Sequence, residues 1–379
     1  MNKMQITQAS VPEGVIDLGI GQPQVDLLPL DKMNLAWEHQ LKQANPEILQ
    51  YGLQQGDARL RRELAGFLTR AYNNAVGPES LLVTGGISQA LDLLCTLLTR
   101  PGDTIIVEEP SYFLALRIFR DHHLNIVGTP MDENGLIIPA LEERVKQYEP
   151  KLVYTIPVYH NPAGVTLPAQ RREDLVRLST IFDFLIVADE VYQLLSYADP
   201  PPPPMAFFDT AERVISLGSF SKILAPGLRL GWMHAQRQLL EPFWMCGALD
   251  SGGGSNPFNA AIVSSAIELG LLQENLQHLK TTYTARRDVL CRALKEHIPQ
   301  LNFTLPHGGF FIWAELAGRM AAESILEKAS HHDVGFQPGV LFSSMNGLGS
   351  FLRLCFTYYA GEDLVKGVRR LAQALGGTR

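Results

Sequence analysis

A lysine in an apolar setting is the first candidate for chemistry. Lys222 lies in the segment SLGSFSKILAPGLRLGW, residues 216–232, with apolar side chains before and after it. Apolar surroundings disfavour the charged ammonium, so we expect a partly neutral amine that can act as a nucleophile. Ser219, Ser221 and Arg229 stand in the same segment and are suited to bind a phosphate group.

Polar residues also follow apolar segments elsewhere in the chain. They are Asp189 and Tyr192 after LIVA, Asn161 beyond LVYT, and Gly86, Ile87 and Ser88 after LLVT and Gly85. The glycine pair allows a tight turn, and free N–H groups at the start of the following helix suit a phosphate. This segment matches neither a Walker A loop nor a dinucleotide-binding fingerprint. Taken singly, Asp189 also fits a helix N-cap, and Asn161-Pro162 an ordinary turn.

The hydrophobic pattern indicates a scaffold that could hold these residues. Short apolar runs alternate with longer amphipathic segments, which predicts an α/β protein with a seven-stranded, mostly parallel sheet. Its predicted strands are residues 81–83, 104–107, 125–127, 152–155, 185–188, 214–216 and 230–233. The predicted helices are 58–72, 88–98, 112–121, 169–182 and one long helix from about 259 to 296. Beyond residue 301, predicted strands 302–305, 310–314 and 351–356 and helices at 320–331 and from 361 indicate a smaller α+β domain.

Composition narrows the classes of function. Of 379 residues, 46% are hydrophobic and 19% charged, with 39 acidic against 32 basic side chains and a net charge of −7. This acidic balance lacks the basic surface that nucleic acids need, so we expect no nucleic-acid partner. No apolar run is long enough for a membrane span and no signal peptide is evident, so we expect a cytoplasmic protein without membrane contact. The scattered cysteines, Cys95, Cys246, Cys291 and Cys355, predict reduced, buried thiols, and no metal site is expected.

Taken together, the motifs resemble those of the fold-type I, class I/II pyridoxal-5′-phosphate-dependent aminotransferases. In chain order they are GIGQP, QYGLQQGDARLRREL, VTGGISQAL, EEPSYF, the Asn161-Pro162 turn, DEVY, SFSKILAPGLRLGW, PHGGFFIW, VGFQPGVLF and FLRLCFTYY. The residues of these motifs are most similar to those of the 2-aminoadipate aminotransferase-like group. The resemblance implies an aspartate-aminotransferase-like fold with an N-terminal segment (1–48), a large cofactor-binding domain (49–285) and a small α+β domain (286–379).

The resemblance also implies a role for each candidate residue. Lys222 would bond covalently to the cofactor aldehyde and then move the α-proton, and Asp189 would pair with the pyridine nitrogen. Tyr192 and Asn161 would hydrogen-bond the phenolic oxygen of the ring, and Tyr112 would stack on the ring face. Lys222, Asp189 and Tyr192 would thus be the catalytic residues. The phosphate would bind to Gly86, Ile87, Ser88, Ser219, Ser221 and Arg229.

Further residues are implied to bind the substrate or to join two chains. Arg353 would grip the α-carboxylate through paired hydrogen bonds, with Asn161 and a backbone contact from Gly21 beside it. Tyr51 matches a tyrosine that, in family members, contributes to the phosphate site of the neighbouring subunit. The resemblance therefore implies a homodimer.

The implied reaction moves an amino group from an L-amino acid of the 2-aminoadipate, aromatic or aliphatic type to a 2-oxo acid such as 2-oxoglutarate. Such a reaction follows a ping-pong mechanism. A β-eliminating lyase on the same fold is the alternative, and a ligand-sensing module of a transcription regulator is a third. Some relatives that act on 2-aminoadipate hold its distal carboxylate with an N-terminal arginine, whereas the first arginine here is Arg59. Either another group holds a dicarboxylate, or the pocket takes neutral side chains beside Ile20, Leu27 and Leu28.

Overall fold

The computed structural model of the protein describes residues 11–376. Residues 1–10 of the predicted N-terminal segment and 377–379 of the predicted C-terminal domain lie outside the described residues. The strands are β1 (Ile16–Asp17), β2 (Leu81–Thr84), β3 (Thr104–Glu109), β4 (Asn125–Asp132), β5 (Gly135–Leu136), β6 (Leu152–Thr155), β7 (Leu185–Asp189), β8 (Val214–Ser219), β9 (Gly231–His234), β10 (Asn302–Phe303), β11 (Phe311–Glu315), β12 (Val334–Gly335), β13 (Gln337–Pro338) and β14 (Phe351–Cys355). The helices are α1 (Leu30–Lys42), α2 (Ala58–Tyr72), α3 (Ile87–Leu98), α4 (Phe113–Asp121), α5 (Ile138–Tyr148), α6 (Ala169–Phe182), α7 (Arg237–Trp244), α8 (Gly247–Gly252), α9 (Pro257–Glu268), α10 (Leu271–His297), α11 (Ala322–Ser330) and α12 (Gly361–Ala374).

The largest sheet has eight strands in the order β2-β9-β8-β7-β6-β3-β4-β5. The strands from β8 to β4 in this order run parallel, whereas β9 is antiparallel to both of its neighbours. The predicted α/β class with a mostly parallel sheet is confirmed, and every strand predicted for that sheet is present. The extra strand, β5, is two residues long and forms a hairpin with the end of β4. So short a strand gives no hydrophobic run that a sequence pattern could reveal.

The parallel strands are apolar on both faces, because helices cover both sides of the sheet. In β3, Ile105 and Val107 point to one side and Ile106 to the other, since successive side chains of a strand alternate. None of these side chains is more than 1% exposed. The helices α3 and α4 pack on the first side, and α5 and α6 on the second. Two hydrophobic layers therefore hold the sheet in place.

The carboxyl ends of several strands gather at one edge of this sheet. β2 runs parallel to β8, because both are antiparallel to β9. The loops that follow β2, β3, β6, β7 and β8 therefore open on the same side. Ligands of open α/β sheets bind at this edge, and these loops carry the candidate residues from Gly86 to Arg229.

A second sheet has four antiparallel strands in the order β10-β11-β14-β13. Its strand β14 carries Arg353, which lies opposite Trp313 of β11 and Gln337 of β13. Close by, β1 pairs in parallel with β12, so the N-terminal segment is fixed against the C-terminal part of the chain. The predicted smaller α+β part is therefore confirmed.

The single long helix predicted from about residue 259 to 296 is wrong. The structure has two helices there, α9 and α10, separated by Leu269 and Gly270. Gly270 has a φ of +75°, a left-handed conformation that glycine adopts without steric cost and that commonly ends a helix. Ile267 and Leu271, on either side of the break, are both buried. The apolar pattern thus continues through the break and conceals it.

The cysteines are all free thiols. Cys95, Cys291 and Cys355 are buried as predicted, whereas Cys246 is only half-buried, just before α8. Within residues 11–376, the helices include none that combines the length and the apolar character needed to cross a membrane.

Candidate active site

A cavity of ≈ 750 Å³ lies between the edge of the large sheet and the second sheet. Its lining includes most of the residues singled out in the sequence, namely Gly21, Ile87, Ser88, Tyr112, Asn161, Asp189, Tyr192, Ser219, Ser221, Lys222, Arg229 and Arg353. The structure thus brings together residues that are up to several hundred positions apart. Gly86 lies directly behind this lining against Arg229, and Tyr51 lies elsewhere.

Lys222 follows β8 and points its amine into the cavity. Its Nζ donates a hydrogen bond to the backbone oxygen of Gly21 at 3.1 Å and lies 5.4 Å from the centre of the Phe310 ring. Burial lowers the pKa of the Lys222 amine to about 8, although Asp189 nearby favours the charged form. A fraction of this amine is therefore neutral near physiological pH and can act as a nucleophile or a base.

Asp189 ends β7 at the floor of the cavity and is 3% exposed. Its Oδ2 accepts a hydrogen bond from the Tyr154 hydroxyl at 2.8 Å, whereas its Oδ1 is buried without a hydrogen-bond partner among the described residues. Burial raises the pKa of the Asp189 carboxyl to about 6, against the opposing effect of the Tyr154 hydrogen bond. A buried carboxylate oxygen without a donor is costly. The site therefore suits a ligand that presents an N–H or a cation at this point.

The turn after β2 forms the opposite end of the cavity together with Arg229. Gly86 has a φ of +94°, and a Cβ at this position would lie 3.0 Å from Nη2 of Arg229. That Nη2 donates to the backbone oxygen of Gly85 at 3.1 Å, while the Ser221 N–H donates to Oγ of Ser219 at 3.1 Å. Because α3 begins at Ile87, its first backbone N–H groups have no partner within the helix. They lie in the same cavity as the Arg229 guanidinium and the hydroxyls of Ser219 and Ser221. This arrangement can bind a phosphate.

Arg353 is a buried cation, 3% exposed. Its Nη1 donates to Oδ1 of Asn161 at 2.9 Å and its Nη2 to the backbone oxygen of Gly19 at 2.8 Å. The guanidinium carbon lies 3.9 Å from the centre of the Phe311 ring and 5.0 Å from that of Phe342. Burial lowers the pKa of the Arg353 guanidinium, which still stays protonated. Among the described residues no carboxylate forms an ion pair with it, so a ligand carboxylate can be its counterion.

Tyr192 and Tyr112 give the cavity its aromatic walls. The buried Tyr192 ring lies 5.2 Å from that of Phe310 between centres, and burial raises the pKa of its hydroxyl well above the ordinary value. Tyr112 lies just before α4, and burial together with the charge of Asp189 raises the pKa of its hydroxyl to about 12. Both hydroxyls are therefore neutral hydrogen-bond donors near neutral pH.

Tyr51 does not reach the cavity of its own chain. Its side chain is 77% exposed and does not belong to the lining. It stands in a stretch of exposed apolar residues, with Leu49 at 76% and Leu53 at 53% exposure.

The sequence analysis missed several residues of the site. Tyr154, the partner of Asp189, lies inside the apolar strand β6, where nothing marks it as polar. Asp17, Phe311 and Gln337 line the cavity and come from strands of the smaller sheets. A polar residue inside an apolar motif, as in VGFQPGVLF, is the signal that could have identified Gln337.

Comparisons with known proteins identify a family to which the chain is similar along most of its length. The family model described as aminotransferase class I and II matches residues 13–371. The chain is 35% identical to aromatic-amino-acid aminotransferase 1 of Thermococcus litoralis, over 95% of this chain and 88% of that protein. It is 31% identical to 2-aminoadipate transaminase of Thermus thermophilus, over 96% and 91% respectively. The structure superposes with a TM-score of 0.89 on Pyrococcus horikoshii kynurenine aminotransferase in complex with PMP, which is 32% identical, over 96% of this chain and 91% of that one.

Proposed function

We propose a reaction for this chain from the premise that it belongs to the class I and II aminotransferase family and is a pyridoxal-5′-phosphate-dependent transaminase. The proposed reaction transfers the amino group of an L-amino acid to a 2-oxo acid such as 2-oxoglutarate in two successive half-reactions. The observation that carries it is the unpartnered, buried Oδ1 of Asp189 in the same cavity as Lys222 and Arg353.

The residues of the cavity fit the cofactor. Oδ1 of Asp189 would accept a hydrogen bond from the protonated ring nitrogen, which would supply the donor that this buried oxygen lacks. Tyr112 would stack on the ring, and Tyr192 and Asn161 would hydrogen-bond its phenolic oxygen. Gly86, Ile87, Ser88, Ser219, Ser221 and Arg229 would bind the phosphate. When bound, the cofactor supplies an aldehyde that bonds to an amine and a ring that withdraws electrons from the substrate α-carbon.

Lys222 has two tasks in this proposal. Its neutral amine would hold the cofactor through the aldehyde, and Nζ, once free again, would act as the base that moves the substrate α-proton. The pKa of about 8 favours both tasks, because the amine can lose and regain a proton near neutral pH. The backbone oxygen of Gly21, which accepts from Nζ at 3.1 Å, can hold the amine in place between these steps.

Arg353 would orient the substrate. A guanidinium binds a carboxylate through two parallel hydrogen bonds, and the carbon of this one lies 3.9 Å from the centre of the Phe311 ring. Its aromatic and carbonyl contacts fix its direction without neutralising its charge. A substrate held there would lie in the same cavity as the amine of Lys222.

Absorption spectroscopy tests the proposal. The purified protein with bound cofactor should absorb visible light, and an L-amino acid without an acceptor should remove that band in a single turnover. Adding 2-oxoglutarate or another 2-oxo acid should restore it, as expected for ping-pong kinetics. Lys222→Ala should abolish the response, whereas Lys280→Ala, a partly buried lysine outside the cavity, should keep it. Accumulation of ammonia or pyruvate while no amino acid removes the band would support the lyase alternative.

A homodimer is part of the proposal. The exposed stretch with Leu49, Tyr51 and Leu53 is an apolar surface of the kind that partners cover. Tyr51 would then reach the phosphate site of the neighbouring subunit. Cytoplasmic location stays a prediction from the sequence.

A further inference from the structure

The substrate cavity has an uneven distribution of charge, and the inference drawn from it rests on the proposed function. The basic residues of the described lining are Lys222, Arg229 and Arg353. Each already has a partner in the proposed reaction: the aldehyde, the phosphate and the α-carboxylate. The described lining contains no lysine, arginine or histidine besides these three. A second carboxylate at the far end of a substrate side chain thus finds no cation among these residues.

An acidic residue lines the same cavity. Asp17 ends β1 and is half-buried, and its Oδ1 accepts a hydrogen bond from the N–H of Gly19 at 2.8 Å. Apart from Asp189, it is the only carboxylate of the described lining. A second carboxylate brought near Asp17 would be repelled or would have to take up a proton, because like charges in a partly desolvated site raise each other's pKa.

Gln337 stands beside the carboxylate-binding arginine. It lies directly opposite Arg353 on neighbouring antiparallel strands, and residues in such a pair project to the same face. Gln337 is 6% exposed, and its Oε1 is buried without a hydrogen-bond partner among the described residues. Buried amides are normally paired. An amide oxygen without a donor at the wall of a ligand cavity is therefore suited to accept a hydrogen bond from the ligand.

Asp17 and Gln337 form one continuous surface, which we name the polar wall. A Cβ placed on Gly19 would lie 2.9 Å from Oδ1 of Asp17 and 3.0 Å from Cγ of Gln337. The backbone oxygen of the same Gly19 accepts from Nη2 of Arg353 at 2.8 Å. The polar wall is thus contiguous with the arginine that would bind the α-carboxylate. Much of the remaining lining is apolar, with Ile20, Leu91, Phe113, Leu114, Ile118 and Val191.

We propose that Asp17 and Gln337 determine substrate specificity by admitting L-amino acids with neutral side chains and disfavouring those with a second carboxylate. The carboxamide of Gln337 offers hydrogen bonds but no charge, and the carboxylate of Asp17 adds repulsion at the same place. The apolar lining provides the favourable contacts for a neutral side chain.

A matched pair of amino acids tests this proposal. L-norleucine and L-2-aminoadipate have side chains of equal length that differ by a terminal methyl group against a carboxylate. The rate of loss of the cofactor absorption band is measured for each at increasing concentration, without an acceptor. We expect the wild-type protein to have a kcat/KM for norleucine at least about tenfold above that for 2-aminoadipate, since one uncompensated charge contact is worth about that factor.

Variants of the polar wall should shift this ratio. Gln337→Arg adds the missing cation, and we expect the ratio of norleucine to 2-aminoadipate turnover to fall at least about tenfold. Asp17→Asn keeps an oxygen that can accept from Gly19 but removes the charge, and the ratio should fall several-fold, roughly threefold or more. Asp26→Asn is the matched control, because it removes an exposed charge of the same N-terminal segment outside the cavity, and it should leave the ratio unchanged.

The outcomes separate this inference from the proposed function. If neither amino acid removes the absorption band, the transaminase reaction itself fails. If the band disappears but the wild type prefers 2-aminoadipate, the specificity proposal is overturned while the reaction stands. It is equally overturned if Asp17→Asn and Gln337→Arg change both rates by the same factor, since they would then act through Arg353. If Gln337→Arg no longer shows the cofactor band, it cannot report on specificity. The ratio measured for Asp17→Asn then tests the proposal.

Discussion

At the scale of single residues, burial determines which side chains of this protein can do chemistry. Lys222 and Asp189 are ordinary residue types whose pKa values move toward neutrality, the first downward to about 8 and the second upward to about 6. Desolvation is the main cause in both cases, because it disfavours the charged form of each. Groups that titrate near neutral pH are suited to proton transfer.

The lowered pKa of Lys222 has a consequence for stability that can be measured without cofactor. Folding penalises the protonated amine fully below about pH 8, and the penalty disappears as the pH rises from about 8 toward the ordinary value of 10.5. Cofactor-free Lys222→Met should therefore be more stable than the wild type at pH 7, by about 3 kcal/mol, and equally stable near pH 10.5. Urea unfolding at several pH values measures this difference. Lys151→Met, at an exposed lysine, should show no such convergence, and a constant difference for Lys222→Met would contradict the prediction.

Asp189 provides a second prediction at this scale. Asp189→Asn keeps the size of the side chain but loses the charge that stabilises a protonated ring nitrogen. We expect the single-turnover rate with an L-amino acid to fall about a hundredfold or more, while the cofactor still binds through its phosphate. Asp183→Asn, at an exposed aspartate paired with Arg213, should stay within about twofold. A wild-type rate for Asp189→Asn would exclude the proposed role.

At the scale of elements, strand ends and the turns after them position the site. Parallel strands place their carboxyl ends at one edge, so the first residues of the loops after β2, β6, β7 and β8 bring distant segments together. The turn after β2 is the most restricted of these loops. It combines a positive φ at Gly86 with close contact to the Arg229 guanidinium, and a side chain there would strain the backbone and displace the arginine.

A comparison of two glycines with similar φ angles distinguishes backbone strain from displacement of the arginine. Gly86 has a φ of +94° and faces Arg229, whereas Gly102 has a φ of +92° and nothing within 4 Å of a Cβ. Alanine at either position should cost about 1 to 3 kcal/mol of folding free energy through backbone strain. Only Gly86→Ala should also weaken cofactor binding, by about tenfold or more, because it pushes a phosphate-binding group aside. Fluorescence titration of the cofactor-free proteins measures the affinity, and equal affinities would contradict this account.

At the scale of the whole molecule, the cavity exists only where two sheets meet. The large sheet contributes Lys222 and Asp189, and the second sheet contributes Arg353. Asn161, from the large sheet's edge, receives a hydrogen bond from Arg353 at 2.9 Å and so links the two parts. One residue of the predicted site, Tyr51, stays outside the cavity of its own chain and would need a second chain to take part.

Mixing an impaired variant with an inactive one tests this arrangement. Tyr51→Ala should lower activity by weakening phosphate binding, and Lys222→Ala should abolish it. If Tyr51 acts on the neighbouring subunit, a mixed dimer contains one site with both native residues, so mixing after mild unfolding and refolding should recover about a quarter of wild-type activity. If Tyr51 acts within its own chain, no site is complete and mixing recovers nothing. Sedimentation should give a mass of two 42.0 kDa chains, and a monomer would also contradict the prediction.

The sequence by itself determined seven strands of the large sheet, several of the helices and the order of the motifs. The predicted helices 58–72 and 169–182 coincide with α2 and α6, because apolar periodicity and helix-stopping residues are local properties. Strand ends with polar residues after them also predicted which loops would carry Lys222, Asp189 and Asn161. The break at Gly270 was missed, because the buried face of the helices continues across it.

Only the tertiary structure decided what these residues contact. Burial, which shifts the pKa values of Lys222 and Asp189, depends on packing between segments far apart in the chain. The same holds for the hydrogen bond from Tyr154 to Asp189 and for the position of Gln337 opposite Arg353. No local pattern encodes such contacts, since strand order and register are set by the whole core. The motifs therefore identify the chemistry of this protein, and the fold sets which side chains surround the substrate.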